Sequence, residues 1–254
     1  MTELVELSSN THGGLRVVEN CSLDVAAKQH VVNLRVAEIG KAVSGLPVFM
    51  TKNPQSGGWA LSAICSFEPG QNLFVENARW TATYLPTSMQ TYPLFLMRSP
   101  NDEKSYTVGI DEQSQAFSSK SGEALFDKQG KASLYLSKTT ALLEADIKND
   151  IQTFQFLSRL DELGLMKSID VQVHYADDSV NTIRGLHTVD EDSLQSLAPE
   201  QLEELNKNGY LLSIHAMLIS TFQLNSLIAK HNQKGLGTVV RQVKLESSKD
   251  VTAT

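Results

Sequence analysis

Residues 168–189 read Ser168-Ile169-Asp170-Val171-Gln172-Val173-His174-Tyr175, then Ala176-Asp177-Asp178-Ser179, then Val180 through Val189. The first eight alternate strictly. Ile169, Val171, Val173 and Tyr175 fall on one face, and Asp170, Gln172 and His174 on the other, which is the pattern of a half-buried strand. Ala176–Ser179 is turn chemistry, so Val180–Val189 is read as the return strand of an antiparallel hairpin. With a three-residue loop at Asp177-Asp178-Ser179, Val173 is expected opposite Ile183, His174 opposite Thr182 and His187 opposite Ile169. In that register the two histidines leave opposite faces, roughly 17 Å apart, and do not share a metal.

A half-buried hairpin needs cover, and the segment before it supplies a helix. From Ser133 to Asp161 the pattern is helical, with Leu143, Ile147, Ile151, Phe154 and Leu157 spaced four, four, three and three along one expected face. Gly164 is the natural terminator. After the hairpin, Pro199 and Gly209 bracket a helix of about ten residues, Pro at the start and Gly past the end. A longer helix is expected from Tyr210 to about His231, and the polar tail 244–254 is expected to fray.

The first half reads differently. Six of the seven prolines lie at or before Pro100. Between them sit short β-favouring runs at Pro47–Thr51, Trp59–Phe67, Leu94–Met97 and Tyr106–Ile110. Lys52–Gly58 reads as a hairpin loop, and Val36–Val43 as a short helix. The fold class expected is α+β: an antiparallel, β-rich N-terminal half (10–130), then a helix-rich part (131–232) with a long central helix, a β-hairpin and C-terminal helices. Strands from both halves are expected to meet, with helices on one side, in a single domain spanning 1–254.

Composition narrows the function. The chain has 254 residues, 22 basic and 29 acidic, for a net charge of −7. That field has the wrong sign for broad binding to nucleic acid or anionic membrane. Met1–Leu7 carries two acids and no apolar core, unlike a secretory signal. Asn20-Cys21-Ser22 matches a glycosylation triplet, which has no meaning without a secretory route. The most apolar run, Tyr210–Phe222, is shorter than the roughly 20 residues that span a bilayer, and it is read as a core helix. Two cysteines, Cys21 and Cys65, without a Cys-x-x-Cys, support neither a disulfide framework nor a thiolate zinc site. These features set the expectation of a cytoplasmic protein with no direct membrane insertion and no nucleic-acid partner.

Signatures of known chemistry are missing: no Gly-x-Ser-x-Gly, His-Glu-x-x-His, P-loop or complete Gly-x-Gly-x-x-Gly occurs. Gly235-Leu236-Gly237 follows a helix, where a dinucleotide loop follows a strand. The acidic run Asp190-Glu191-Asp192 lacks calcium-loop spacing and fits a helix N-terminus. His215, one turn past Leu211, is read as a core or interface histidine. His12, in Thr11-His12-Gly13-Gly14, is the freest histidine. The aromatics Trp59, Phe67, Phe74, Trp80, Tyr84, Tyr92 and Phe95 crowd the first half without interleaved basic residues. They read as core, with a minority able to line a cleft. No cofactor and no metal site are indicated.

Read in order, several segments resemble one family. His12-Gly13-Gly14-Leu15-Arg16-Val17 is similar to the His-x-x-Leu-Arg-Val opening of the SapC family, and Leu46–Asn53 to its Pro-Val-x-x-x-Lys segment. Gly70-Gln71-Asn72-Leu73-Phe74-Val75, Trp80 and Tyr84-Leu85-Pro86 resemble its Gly-Glu-Asn-Leu-Phe … Trp … Tyr-x-Pro stretch. Gly109–Glu112, Ala124–Asp127, Gly185–Glu191 and Leu202–Leu227 continue the resemblance. Gln71 stands where the family usually has Glu, Met89-Gln90 where a basic pair is expected, and His187 where an aromatic is usual. The resemblance implies association with bacterial surface-layer gene clusters, TonB-dependent receptors and flavin-dependent halogenase-like genes. It brings no reaction that maps onto particular residues.

Two functions from different classes are therefore expected. The first is a non-enzymatic accessory or binding protein of a nutrient-uptake or surface-layer system, acting through a partner protein or small ligand. The second is an enzyme, or an enzyme's partner subunit, with a cleft of first-half aromatics and His12. The candidate ligand-binding residues are His12, Arg16, Asn72, Trp80, Tyr84, Asp111 and Glu112. The enzyme reading requires His12 and Asp111 or Glu112 to converge on one concave pocket. A homodimer through helix 210–231 is a further expectation.

Overall fold

A computed structural model of the chain describes residues 4–53, 57–100, 102–235 and 237–248. In chain order the first half runs β1 (Val5–Glu6), α1 (Ser9–His12), β2 (Arg16–Val17), α2 (Cys21–Ala26) and β3 (Val31–Leu34). A 3-10 turn at Val36–Glu38 then leads into α3 (Ile39–Ala42), β4 (Val48–Lys52) and β5 (Trp59–Ile64). Next come the short pair β6 (Val75–Glu76) and β7 (Arg79–Trp80), α4 (Thr87–Thr91), β8 (Phe95–Ser99), β9 (Asp102–Ile110), β10 (Phe117–Ser118) and β11 (Glu123–Ala124). The second half is α5 (Leu134–Glu162), β12 (Met166–Tyr175), β13 (Val180–Val189), α6 (Glu191–Gln195), α7 (Pro199–Lys207), α8 (Tyr210–Ser220), α9 (Gln223–Lys234) and β14 (Val240–Ser247).

This is an α+β fold, as the sequence indicated. Its main sheet has six antiparallel strands in the order β14-β12-β13-β4-β5-β3, so strands from both halves of the chain do meet. A smaller sheet, β1-β9-β8, and a three-strand cluster, β10-β2-β11, belong to the first half. The Lys52–Gly58 loop joins β4 to β5, with Lys52 opposite Trp59; residues 54–56 lie outside the described residues. One expectation fails at the sheet centre. Val48, Phe49 and Met50 are all fully buried. Successive strand residues point to opposite faces, so β4 is covered on both sides and not on one.

The hairpin register also differs from expectation. Val173 pairs with Asn181, Val171 with Ile183, and His174 with Val180. The loop keeps three residues but sits one position earlier, at Ala176-Asp177-Asp178: the Tyr175 N–H donates to the Ser179 carbonyl, Asp178 takes a positive φ of 64°, and its N–H donates to the Tyr175 carbonyl. Gly185, at φ 78°, lies in a bulge that changes the register between Ile169 and Val171. The bulge reverses the facing of everything beyond it, so His187 pairs with Ser168 and shares a face with His174. The offset of six residues along the strand still holds the two rings about 20 Å apart.

Helix α5 starts where Ser133 accepts the Leu136 N–H and ends before Gly164, at φ 66°. Its buried stripe follows the expected one only at Leu143 and Leu157. Ile151 and Phe154 are exposed, while Leu136, Thr139, Leu143, Asp146, Thr153, Phe156, Leu157 and Leu160 are buried. The apolar pattern misled because three inward positions are polar, each with a partner of its own: Thr139 and Thr153 hydroxyls donate to the carbonyls of Tyr135 and Asn149, and Asp146 meets Arg35. Near the end of the helix, Arg159 grips Glu204 of α7 through two bonds, at 2.9 and 2.6 Å.

The expected single helix 210–231 is interrupted after Ser220. The Ser220 hydroxyl donates to the Met217 carbonyl and accepts the Val48 N–H, and the Thr221 hydroxyl donates to the Leu218 carbonyl. Such side-chain bonds compete with the helical ladder. His215, expected in a core or interface, is exposed. The expected frayed tail is corrected as well. Lys244–Ser247 belong to β14, an edge strand paired with β12 and carrying the charged residues that edges tolerate. Residues 249–254 lie outside the described residues.

The buried side chains form two apolar clusters. The larger joins the main sheet to the C-terminal part of α5, α8 and α9; the smaller holds Val17, Cys21, Leu94, Ile110, Ala116, Leu125, Leu136 and Leu143.

Candidate functional site

A cleft opens where those two clusters meet. Its walls include Leu34 from the larger cluster, Leu94 and Leu143 from the smaller, and Phe95 and Leu96 of β8. Its polar floor is Arg35, Glu38 and Asp146, and its volume is about 300 Å³.

Local folding explains the floor. Arg35 precedes the 3-10 turn, and its N–H donates to Glu38 Oε2 at 2.7 Å, closing the turn. Glu38 is 5% exposed. Its Oε1 accepts three bonds, from the Tyr84 hydroxyl at 2.6 Å, the Thr87 N–H at 2.8 Å and the Thr87 hydroxyl at 2.9 Å. A buried carboxylate is tolerated when its lone pairs are filled in this way. The Arg35 guanidinium turns to α5. Nε and Nη2 meet Asp146 Oδ2 at 2.9 and 2.8 Å, and Nη1 meets Asp150 at 2.5 Å. Burial pulls the Arg35 pKa down, but the Asp146 hydrogen bond and the charges of Asp146, Asp150 and Glu38 more than offset it, leaving it raised. Three acids against one base leave the network two charges negative.

Tyr84 is the one expected residue bonded to this floor. Burial, then the bond to Glu38, pushes its pKa up to about 12, so it stays a neutral donor. Trp80 supports it from behind, its indole N–H donating to the Tyr84 carbonyl at 2.7 Å and its ring tilted against Phe74. Asn72 shapes the same connection: its Oδ1 accepts the Phe74 N–H, while its Nδ2 is buried without a hydrogen-bond partner of standard geometry. Nearby, burial drives the Cys65 thiol to about 12 against a smaller opposing pull from Asn72.

The other expected residues lie elsewhere. His12 and Glu112 do converge, with Nε2 and Oε1 2.7 Å apart. His12 is 5% exposed, and its Nδ1 accepts the Ser8 N–H at 2.9 Å. The ring proton therefore sits on Nε2 and points at Glu112. Both ring nitrogens are occupied by the fold itself, which makes the pair a clip between α1 and the segment after β9. Neither residue lines the cleft floored by Arg35, Glu38 and Asp146. Asp111 folds back to accept the Gln113 N–H, and Arg16 donates to the Gly122 carbonyl. His12 and Glu112 thus converge on each other, outside the cleft floored by Arg35, Glu38 and Asp146. Among the described residues no group of three His, Cys, Asp or Glu side chains is placed to hold a metal ion.

Arg35, Glu38 and Asp146 escaped sequence reasoning. Glu38 sits in the stretch Val36–Val43 read only as a short helix, Arg35 just before it, and Asp146 lies one helical turn from Leu143 on a stripe searched for apolar residues. The usable signal was the combination of a charged residue at an inward helix position with an acid three residues after an arginine.

An α+β chain with a carboxylate-floored cleft between two apolar clusters is what the fold and the site define. A family model described as SapC matches residues 7–227, and the chain belongs to the SapC family. No curated protein and no solved structure matches it.

Proposed function

We propose that this is a non-enzymatic accessory binding protein, working in the cytoplasm for a bacterial nutrient-uptake or surface-layer-associated system, and that its cleft takes a cationic group carried on an apolar body. The observation that carries the reading is the floor of the cleft: buried carboxylates, net negative, under apolar walls. Ionised carboxylates only accept hydrogen bonds. Glu38 Oε2 holds one bond and Asp146 Oδ1 only a longer one, at 3.1 Å, so both keep capacity for a donor from a ligand. Apolar walls with a few convergent polar groups are the usual make-up of a small-ligand site. The membership in the SapC family supports the setting and leaves the ligand open.

A thermal-shift titration tests the chemistry with n-hexylamine and hexanoate, which have the same apolar length and opposite charge. Stabilisation by the amine alone, lost in Asp146→Asn, is the expected result. Equal stabilisation by hexanoate, or no response to either, overturns the ligand class. Turnover of a substrate that depends on Glu38 overturns the non-enzymatic reading.

A further inference from the structure

The outer face of α8 presents what an amphipathic helix usually hides. Leu212 is 76% exposed, Ile219 65% and Phe222 72%. With exposed His215 between them, the spacings are three, four and three, a stripe that runs along α8 and past its end at Ser220 to Phe222, the residue that precedes α9. The opposite face already meets the core through Ile214, Met217, Leu224 and Leu227. The stripe is therefore surplus to the fold. The stretch Tyr210–Lys234 is long and apolar enough to cross a membrane, with a mean hydropathy of 1.4 in its most apolar window, of which only 28% is buried.

Beside the stripe runs a cleft of about 400 Å³. Leu218 and Thr221 of this helical stretch form one wall. The rim carries Asp190, Glu191, Asp192 and Glu246 against the single base Lys167, and half-exposed Leu245 of β14 extends the apolar surface. Asp190 is fixed here, its carboxylate capping α6 through the Asp192 N–H and the Ser193 hydroxyl.

We infer that this surface docks a basic amphipathic helix of a partner protein. Apolar anchors at i, i+3, i+4 and i+7 would lie on Leu212, Ile219 and Phe222, as helices do in apolar grooves, and lysines or arginines along one flank would meet the acidic rim. Charge selects this occupant over two others. A second copy related by a two-fold axis brings acidic rim toward acidic rim in a chain of net charge −7. A bilayer with anionic headgroups repels the same rim.

The test uses the full chain and a fluorescent helical peptide of about 18 residues, with Leu at helical spacing and Lys elsewhere, read by anisotropy. A second peptide has Glu for every Lys. Expected is binding of the Lys peptide alone, weakened at least about tenfold by Ile219→Ser with Phe222→Ser, and again by Glu191→Lys with Asp192→Lys. These positions are exposed, so an unchanged circular dichroism spectrum is expected, and the response to n-hexylamine stays intact, which separates this result from the fate of the small-ligand cleft. No binding, equal binding of the Glu peptide, or full binding by the Ser variant overturns the inference. So does a dimer in light scattering that the Ser variant abolishes, or sedimentation with phosphatidylcholine vesicles through the same residues.

Discussion

Removing the Asp146 carboxylate by Asp146→Ala strikes the hinge of the cleft floor. Asp146 is 8% exposed and holds Arg35 Nε and Nη2 at 2.9 and 2.8 Å. Stripping one partner from a fully buried ion pair costs about 3–5 kcal/mol. Two features lower the cost here. The Arg35 side chain is 32% exposed, and Asp150 remains bound to Nη1. Roughly 2 kcal/mol is therefore expected, including the packing lost beneath the cleft. Asp150→Ala is the control. The Asp150 side chain is 53% exposed, and an exposed charge pair contributes under about 1 kcal/mol. Urea unfolding followed by circular dichroism reads both: the midpoint falls with an unchanged slope for Asp146→Ala and moves little for Asp150→Ala. Equal losses, or a larger one for Asp150→Ala, refute the assignment of the buried pair as the structural hinge.

Phe156→Ala should cost about 3–5 kcal/mol and Phe154→Ala under about 0.5 kcal/mol, because the first is fully buried and the second 71% exposed on the same helix; thermal melts decide it. The raised Tyr84 pKa makes the native state the better proton binder, so its contribution is complete below about pH 10 and fades as the pH climbs toward 12. The stability advantage over Tyr84→Phe should narrow between about pH 10 and 12, and a gap that widens contradicts the Glu38 contact. Cys65, its thiol pushed to about 12 by burial, and Cys21, raised by burial as well, should ignore a thiol-reactive dye until the chain unfolds. His12→Ala should cost about 1–3 kcal/mol, since it orphans the buried Ser8 bond and frees Glu112, and hydrogen exchange should quicken in α1; unchanged exchange there removes the clip.

Much of the architecture was readable because period and punctuation agreed. Ile169 to Tyr175 alternated, Ser133 and Gly164 bounded α5, and Pro199 and Gly209 bounded α7. The missed parts are those where a few residues override the pattern. Gly185 and Asp178 shift the hairpin register by backbone geometry that no alternation encodes. Ser220 breaks a helix whose composition says it continues. β14 is polar on its outer side and reads as a tail until β12 is there to receive it. The site was harder still. Tyr84 entered only through a motif resemblance, and its partner Glu38 lies 46 residues away in sequence. His12 and Glu112, 100 residues apart, were both named as candidates, yet their contact satisfies the imidazole completely. Proximity was foreseeable there, and occupancy of both nitrogens was not.

Helix α5 is common to the two apolar clusters: Leu136 and Leu143 sit in the smaller, Phe156, Leu157 and Leu160 in the larger, with Asp146 between. It thus carries part of both units, and the Arg35–Asp146 contact lies at the polar joint between them. The expected outcome in hydrogen exchange is that the small unit opens before the sheet, in two tiers of amide protection. Any molecule lodged at the joint bolts the tiers together, so occupancy would be felt as far off as β1 and β10, at the outer edges of the small unit.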